Sequence, residues 1–253
     1  MCAIAGLFAS ARGPESALLE RMLALQAHRG PDGTRCWVDG PIGLAHARLA
    51  LVDLAGGAQP LANEDGSVQI VCNGEIYNHR ELRQALVTRG HRLRSASDTE
   101  VIVHLYEEQG AAMLERLNGP FALALWDAGR QTLLLARDRA GMRPLHWTLL
   151  PDGSLAFASE IKALLALPGV ERAPDPAGLQ QLFHWWGTVG ERTVFRGIRQ
   201  LPPGHALEAQ DPRSPQLRRW WSWNFEPDPA LARCPEEELA QALQERLARA
   251  VAL

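Results

Sequence analysis

The chain opens on an unbroken apolar run, CAIAGLF (2–8), of a length suited to a buried strand, with Gly6 marking a close backbone approach. From Pro14 to Ala27 the period changes. Leu18, Leu19, Met22 and Leu23 recur at helical spacing, and Pro14 suits a first turn. HRGPDG (28–33) is loop chemistry, after which residues 34–38, 42–52 and 68–72 read as strands between glycine and proline turns. A helix is predicted from Asn78, as its cap, to a stop near Gly90. Another begins at SDTE, where Ser97 and Glu100 fit a capping box ahead of an apolar run, with Asp98 in the first turn.

After Gly119, FALALW and TLLLAR predict paired strands around 127–130, and WTLL and LAFAS a second hairpin around 151–153. Short helices follow over 160–166 and 175–185. From about Glu208 to Pro235 the chain turns polar and proline-rich, which reads as a linker holding one short Trp-rich strand. PEEELAQALQERLARAVAL (235–253) is an amphipathic helix with glutamates in its first turn, and its apolar face predicts a neighbour. Many strands flanked by helices, several of them in hairpins, argue against a purely parallel sheet.

Composition narrows the class. With 253 residues, 46% hydrophobic and 22% charged, the chain suits one large globular domain, or one domain and a fragment of a second. A net charge of −3 argues against a broad nucleic-acid surface. No stretch reaches the roughly 20 apolar residues that cross a bilayer, and the start lacks a secretory pattern. Cys2, Cys36, Cys72 and Cys234 are far apart without a CxxC pair, so a reducing cytoplasm is expected and neither zinc nor disulfides are. His28, His46, His79 and His104 have no metal-ligand spacing and read as loop or core residues, so no metal is expected. The Trp185–Trp186 and Trp220–Trp223 clusters read as packing or as an exposed interface with a partner domain.

The chemistry starts at Cys2. Removal of Met1 would leave a thiol and a free α-amine on one residue, with ordinary pKa values near ~8.5 and ~7.7–8.0. The amine can then take the thiol proton without a histidine; with Met1 retained the nitrogen is an amide and no such base exists. Alone, a cysteine at position 2 is only a small residue, but three motifs add to it. AHARLALVD (45–53) sets Arg48 in an apolar strand, either as a snorkelling arginine or as a clamp for a carboxylate. VCNGEIYN (71–78) puts Asn73 before Gly74, either as a turn or as two donors for an oxyanion. SASDTE (95–100) carries Asp98, either as a helix-dipole acid or as a counter-ion for an ammonium. Together they supply a nucleophile, oxyanion donors, and both charges needed to hold an amino acid.

These motifs resemble the N-terminal glutaminase domain of glutamine-dependent asparagine synthetases, class II glutamine amidotransferases. The resemblance runs in order through MCAIAGLF, HRGPDG, RLALVDL, CNGEIYNHREL, SDTEVI, RDRAGMRPL, ASEIKALL and FRGIRQLPPGH, over roughly residues 2–206. It implies an α+β fold of the N-terminal-nucleophile hydrolase type, a four-layer α/β/β/α sandwich of two antiparallel sheets. It also implies that Cys2 forms a γ-glutamyl thioester, with Asn73 and Gly74 lining the oxyanion hole. Arg48 would bind the substrate carboxylate and Asp98 its ammonium, with Leu51, Val52 and Glu75 contributing backbone groups. Ala140 and His146 depart from the family's aromatic residues.

The domain would span 2–210, followed by a linker over 211–234 and, at 235–253, the first helix of a synthetase domain otherwise absent from this sequence. The expected partners are L-glutamine and a synthetase domain in cis or in trans, with a possible homodimer and neither nucleic acid nor membrane. No cofactor is expected for this chain, and ATP and Mg belong to the absent domain, whose pyrophosphate-binding loop does not occur here. The alternatives are a catalytically silent structural domain and an unrelated N-terminal-nucleophile amidase.

Overall fold

Alternation along the strands determines where the core lies. In β1 (Ala3–Phe8), Ile4 and Phe8 pack on one side while Ala3, Ala5 and Leu7 pack on the other, and the whole strand is buried. β6 (Phe121–Asp127) divides likewise, with Ala122, Ala124 and Trp126 on one face and Phe121, Leu123 and Leu125 on the other. Strands buried on both faces need an apolar layer on each side. That requirement is met in the computed structural model, which describes residues 1–252.

Met1–Trp221 form one compact unit, and a second begins at Ser222. In the first unit, two six-stranded antiparallel sheets stack face to face. One has the order β10 (Arg199–Gln200), β8 (His146–Leu149), β9 (Leu155–Ala158), β1, β3 (Ile42–Arg48), β2 (Gly33–Asp39). The other has the order β12 (Gln216–Arg219), β11 (His205–Ala209), β7 (Thr132–Arg137), β6, β5 (Val68–Gly74), β4 (Leu61–Ala62). Ile4, Phe8, Leu44 and Phe157 of the first sheet meet Val71, Trp126, Leu133 and Leu207 of the second in a central core. α1 (Ser16–Ala24) and α4 (Ile161–Leu165) cover the outer face of the first sheet. α2 (His79–Thr88) and α3 (Glu100–Gln109) cover that of the second. The layers therefore run α/β/β/α, as expected.

α5 (Pro176–Trp185) starts at Asp175, whose carboxylate accepts the Ala177 N–H at 3.0 Å. Its far end leaves Phe183, Trp185 and Trp186 exposed, whereas Trp220 stacks on Phe121 in the core region. In the second unit, α6 (Glu236–Val251) carries Leu239, Leu243, Leu247 and Val251 along one exposed stripe. No helix among the described residues is long and apolar enough to cross a membrane.

Several local expectations differ from the structure. β3 ends at Arg48 rather than continuing to 52, because the Arg48 guanidinium folds the next residues back onto itself. The capping box does not form. Thr99 occupies the cap, Asp98 precedes the helix, and Glu100 reaches back to the N–H groups of Arg94 and Ser95. Asn78 makes no cap bond either, since its side chain donates to the Arg116 carbonyl and accepts the Asn118 N–H. Residues 211–221, read from sequence as linker, lie inside the first unit, where β12 pairs with β11.

Candidate active site

Cys2 stands directly before β1, whose first residue, Ala3, pairs with Ala47 near the end of β3. This register brings the thiol to the residues just after Arg48. The Leu49 N–H donates to Cys2 Sγ at 3.3 Å, and the sulfur lies 3.5 Å from the Leu49 carbonyl. Distant segments hold the strand end in place. Arg29 Nε donates to the Cys2 carbonyl at 3.0 Å, and the Ile4 N–H donates to Ser159 Oγ at 3.0 Å. Arg29 also pairs with Glu160 at 3.0 Å, joining HRGPDG to ASEIKALL beneath the N-terminal strand.

Burial raises the Cys2 thiol pKa above its ordinary value, opposed by the Leu49 N–H and by the positive N-terminus. His46, on β3, lines the same cleft. Burial, with Arg48 nearby, lowers its pKa to about 4. A neutral imidazole with so low a pKa is a poor acceptor for a thiol proton at neutral pH. The cleft thus contains a thiol of reduced acidity and no basic histidine to relieve it.

Arg48 organises the next loop. Its NH2 donates to the carbonyls of Val52 and Asp53 at 3.3 and 2.6 Å, and its NH1 donates to that of Leu54 at 3.1 Å. These bonds engage three of the five N–H groups of a guanidinium. Asp53, at φ 49, turns the loop, and its two carboxylate oxygens accept the Gly56 and Ala96 N–H groups at 2.8 and 2.7 Å. Asp53 thereby joins the segment after Arg48 to the one that carries Asp98. Asp32 of HRGPDG supports the same loop by accepting the Ala50 N–H at 2.8 Å.

β5 supplies the opposite wall. Val68, Ile70 and Cys72 face the helices, so Val71 and Asn73 face the first sheet and the Cys2 end of β1. Asn73 is 1% exposed, yet its Nδ2 has no hydrogen-bond partner. Gly74 packs against β6 so closely that a Cβ would collide with the Pro120 carbonyl oxygen and lie 2.7 Å from Phe121 Cα. Asp98 is buried, and its Oδ2 accepts the Ile76 N–H at 2.7 Å, which fixes the turn after Gly74. Burial and the neighbouring Asp98 raise the pKa of Glu75.

Cys2, Arg48, Leu51, Val52, Gly74, Glu75 and Asp98 line one cleft, with Leu49, Gln59 and Thr99 between them, and Asn73 lies behind Gly74 in the wall. Every site residue read from sequence is therefore at or against this cleft. Cys72, the other cysteine beside Asn73, points into the core below the helices, where burial raises its pKa well above the ordinary value. It is no rival nucleophile. Sequence reading missed Arg29, Asp32, Asp53, Ser159 and Glu160, which hold the walls. Their only signal was membership of the quoted motifs. Ala140 and His146 lie in and after the loop that Asp138 ties together by accepting the N–H groups of Ala140, Met142 and Arg143.

The sequence matches the model of the glutamine amidotransferase domain family over residues 1–221. The chain belongs to that family. The matched span ends where the first compact unit ends, so this unit is the amidotransferase domain. The chain is 38% identical over 234 residues to asparagine synthetase [glutamine-hydrolyzing] 3 of Bacillus subtilis, an alignment covering 89% of this chain and 37% of that protein. It is also 36% identical over 235 residues to the amidase chyE of Penicillium rubens, covering 92% of this chain and 34% of that protein. The chain thus spans about a third of the length of these curated relatives. Among solved structures, the glutamine phosphoribosylpyrophosphate amidotransferase of B. subtilis superposes with a TM-score of 0.63 at 21% identity, over 87% of this chain and 49% of that one. At that identity the likeness concerns the fold, and the amidotransferase domain has the expected N-terminal-nucleophile hydrolase architecture.

Proposed function

We propose that the amidotransferase domain hydrolyses L-glutamine to glutamate and ammonia through a thioester on Cys2. The ammonia would pass to an ATP-dependent module of the asparagine-synthetase type, in a longer chain or in a separate one. The observation that carries this reading is the buried Asn73 Nδ2, which lacks a partner in the wall of the cleft that holds the thiol. A buried donor left unpaired costs about 1–3 kcal/mol, a cost that a substrate oxyanion placed there would offset.

Removal of Met1 would convert the Cys2 nitrogen into an α-amine within reach of its own thiol. That amine takes the thiol proton, and Sγ attacks the side-chain amide carbon of glutamine. The oxyanion is held by the Asn73 amide and the Gly74 N–H. The C–N bond then breaks as the α-ammonium gives its proton to the departing ammonia. Water, deprotonated by the same amine, attacks the thioester, the C–S bond breaks, and glutamate leaves with the thiol restored. Arg48 has N–H groups to spare for the substrate α-carboxylate. Asp98 and Glu75 supply negative charge for its α-ammonium, and the backbone of Leu51 and Val52 closes the cleft.

Relatives named asparagine synthetase support aspartate as the final acceptor. ATP and Mg would then serve the partner module, and no residue of this cleft is assigned to either. The family resemblance extends the proposal to a homodimer.

The test combines N-terminal mass analysis with glutamine turnover. Protein that begins at Cys2 should release glutamate and ammonia, while protein retaining Met1 and Cys2→Ala should both be inactive. Turnover surviving in the Cys2→Ala protein would overturn the assignment.

A further inference from the structure

We propose that Glu64, His91, His104 and Glu107 form a binding site for one divalent transition-metal ion of the zinc type, away from the glutamine cleft. One ligand atom from each of the four lies within 4.8 Å of all the others. His104 Nδ1 is 3.1 Å from Glu64 Oε2 and 3.3 Å from Glu107 Oε2. His91 Nδ1 is 3.2 Å from Glu64 Oε1 and 3.8 Å from Glu107 Oε2. A tetrahedral ion with bonds of about 2.0–2.1 Å holds neighbouring ligand atoms about 3.3–3.4 Å apart. The four histidine–carboxylate contacts, for which Glu64 offers a different oxygen to each ring, stand at 3.1 to 3.8 Å, near that spacing.

His104 is fully buried, and neither of its ring nitrogens has a hydrogen-bond partner. Nδ1 lies at ion-pair distance from the Glu64 and Glu107 carboxylates. A ring nitrogen set between two carboxylates is placed as a ligand is placed around a shared centre. Buried imidazoles otherwise find partners.

The surroundings orient the four groups. Glu107 Oε1 accepts from Asn63 Nδ2 at 2.9 Å, leaving Oε2 directed at the two histidines. Glu64 Oε1 accepts the Arg92 N–H at 2.9 Å. The remote nitrogens of both rings face carboxylates, His91 Nε2 toward Glu108 at 3.4 Å and His104 Nε2 toward Glu100 at 3.9 Å. Carboxylates behind ligating imidazoles recur around protein zinc, where they fix the tautomer and raise ligand basicity. Arg89 pairs with Glu108 at 2.8 Å, and Arg83 lies 3.9 Å from Glu100, so the outer acids have their own cations. Glu64 and Glu107 do not, apart from the two imidazoles, and a dication between them balances the charge.

Two imidazoles and two carboxylates suit zinc better than magnesium or calcium, which take all-oxygen shells. Four protein ligands leave no open position, so the site is structural. It would join the turn between β4 and β5 to the segment after α2 and to α3, the helix that follows Asp98. His91 Nδ1 hydrogen-bonds Glu64 in the structure, so metal binding at Nδ1 would move that proton to Nε2, which faces Glu108 at 3.4 Å.

The test titrates metal-stripped full-length protein with zinc chloride, cobalt chloride and magnesium chloride, in wild type and in Cys2→Ala so that the nucleophile cannot supply the signal. One zinc per chain should bind in both proteins, with a raised thermal midpoint. Cobalt should give the intense visible bands of a tetrahedral site, and magnesium should do neither. His91→Asn and Glu107→Gln should each weaken zinc binding at least about 100-fold, beyond the usual range for losing an outer-shell partner. Zinc that fails to bind the wild type, or binds both variants as tightly, or vanishes with Cys2→Ala, refutes the site. None of these outcomes bears on glutamine hydrolysis, so the two proposals stand or fall separately.

Discussion

Leu49 donates its amide hydrogen to the sulfur of Cys2 at 3.3 Å, a contact made across 47 residues of chain. An N–H donor stabilises a thiolate more than a thiol, whereas burial does the opposite. Here burial is the larger effect while Met1 is in place, and the thiol pKa is raised. In the proposed mechanism, activation comes from the α-amine that removal of Met1 exposes. Iodoacetamide should alkylate Cys2 slowly at pH 7 in protein retaining Met1 and about tenfold faster once Cys2 is N-terminal, the equivalent of one pKa unit. Identical alkylation profiles for the two forms would remove the α-amine from the mechanism.

Asn73→Ala deletes a buried side-chain donor in the wall that has no partner. If that donor serves the oxyanion, its loss acts on the transition state rather than on glutamine binding. kcat should fall about 10²–10³-fold with KM little changed. The variant should unfold at no lower urea concentration than the wild type, because no bond within the protein is broken. A rise in KM at constant kcat would instead make Asn73 a binding residue.

Much of this fold was legible because its strands are buried on both faces and its hairpins are short. FALALW is apolar throughout, TLLLAR is apolar between Thr132 and Arg137, and only five residues separate them. β4 and β10 escaped notice because two residues carry no period, and β11 because His205 and Glu208 interrupt its apolar positions. β12 reads as linker because it is a mostly polar, exposed edge. Within the site, the residues with distinctive chemistry were legible. Asp53, Asp32 and Glu160 were not, since each accepts bonds from groups far along the chain, such as Asp53 from Ala96. The Ser97–Glu100 capping pattern failed for a related reason, because Glu100 satisfies backbone donors that precede Ser97. The Glu64–His104 cluster was hidden by spacing, since its two histidines are thirteen residues apart and their partners lie on separate elements.

Gly74→Ala tests whether the wall tolerates any side chain at that position. The new Cβ would meet the Pro120 carbonyl and the Phe121 backbone, neither of which can rotate away. β5 must shift from β6, at a cost of about 1–3 kcal/mol in urea unfolding. The same shift moves the Asn73 amide and the Gly74 N–H, so kcat should fall together with stability. Full activity at wild-type stability would show that the ladder yields more easily than its geometry implies.

Acid should destabilise the domain before its carboxylates protonate. Burial lowers the pKa of His46 and of His146 to about 4 each, against an ordinary value near ~6.5. Between those two values the unfolded chain binds the protons that the folded domain refuses, so stability rises with pH there. The contribution is complete above about pH 6.5 and is lost as pH falls toward 4, on the order of 3 kcal/mol for each histidine. Urea midpoints measured from pH 7 to pH 4.5 should fall steadily. His146→Gln, which lies outside the glutamine cleft, should remove about half of the slope while lowering stability at pH 7 through loss of the bond to the Ser159 carbonyl. A midpoint that stays flat across this range would mean that both imidazoles already take up protons in the folded state.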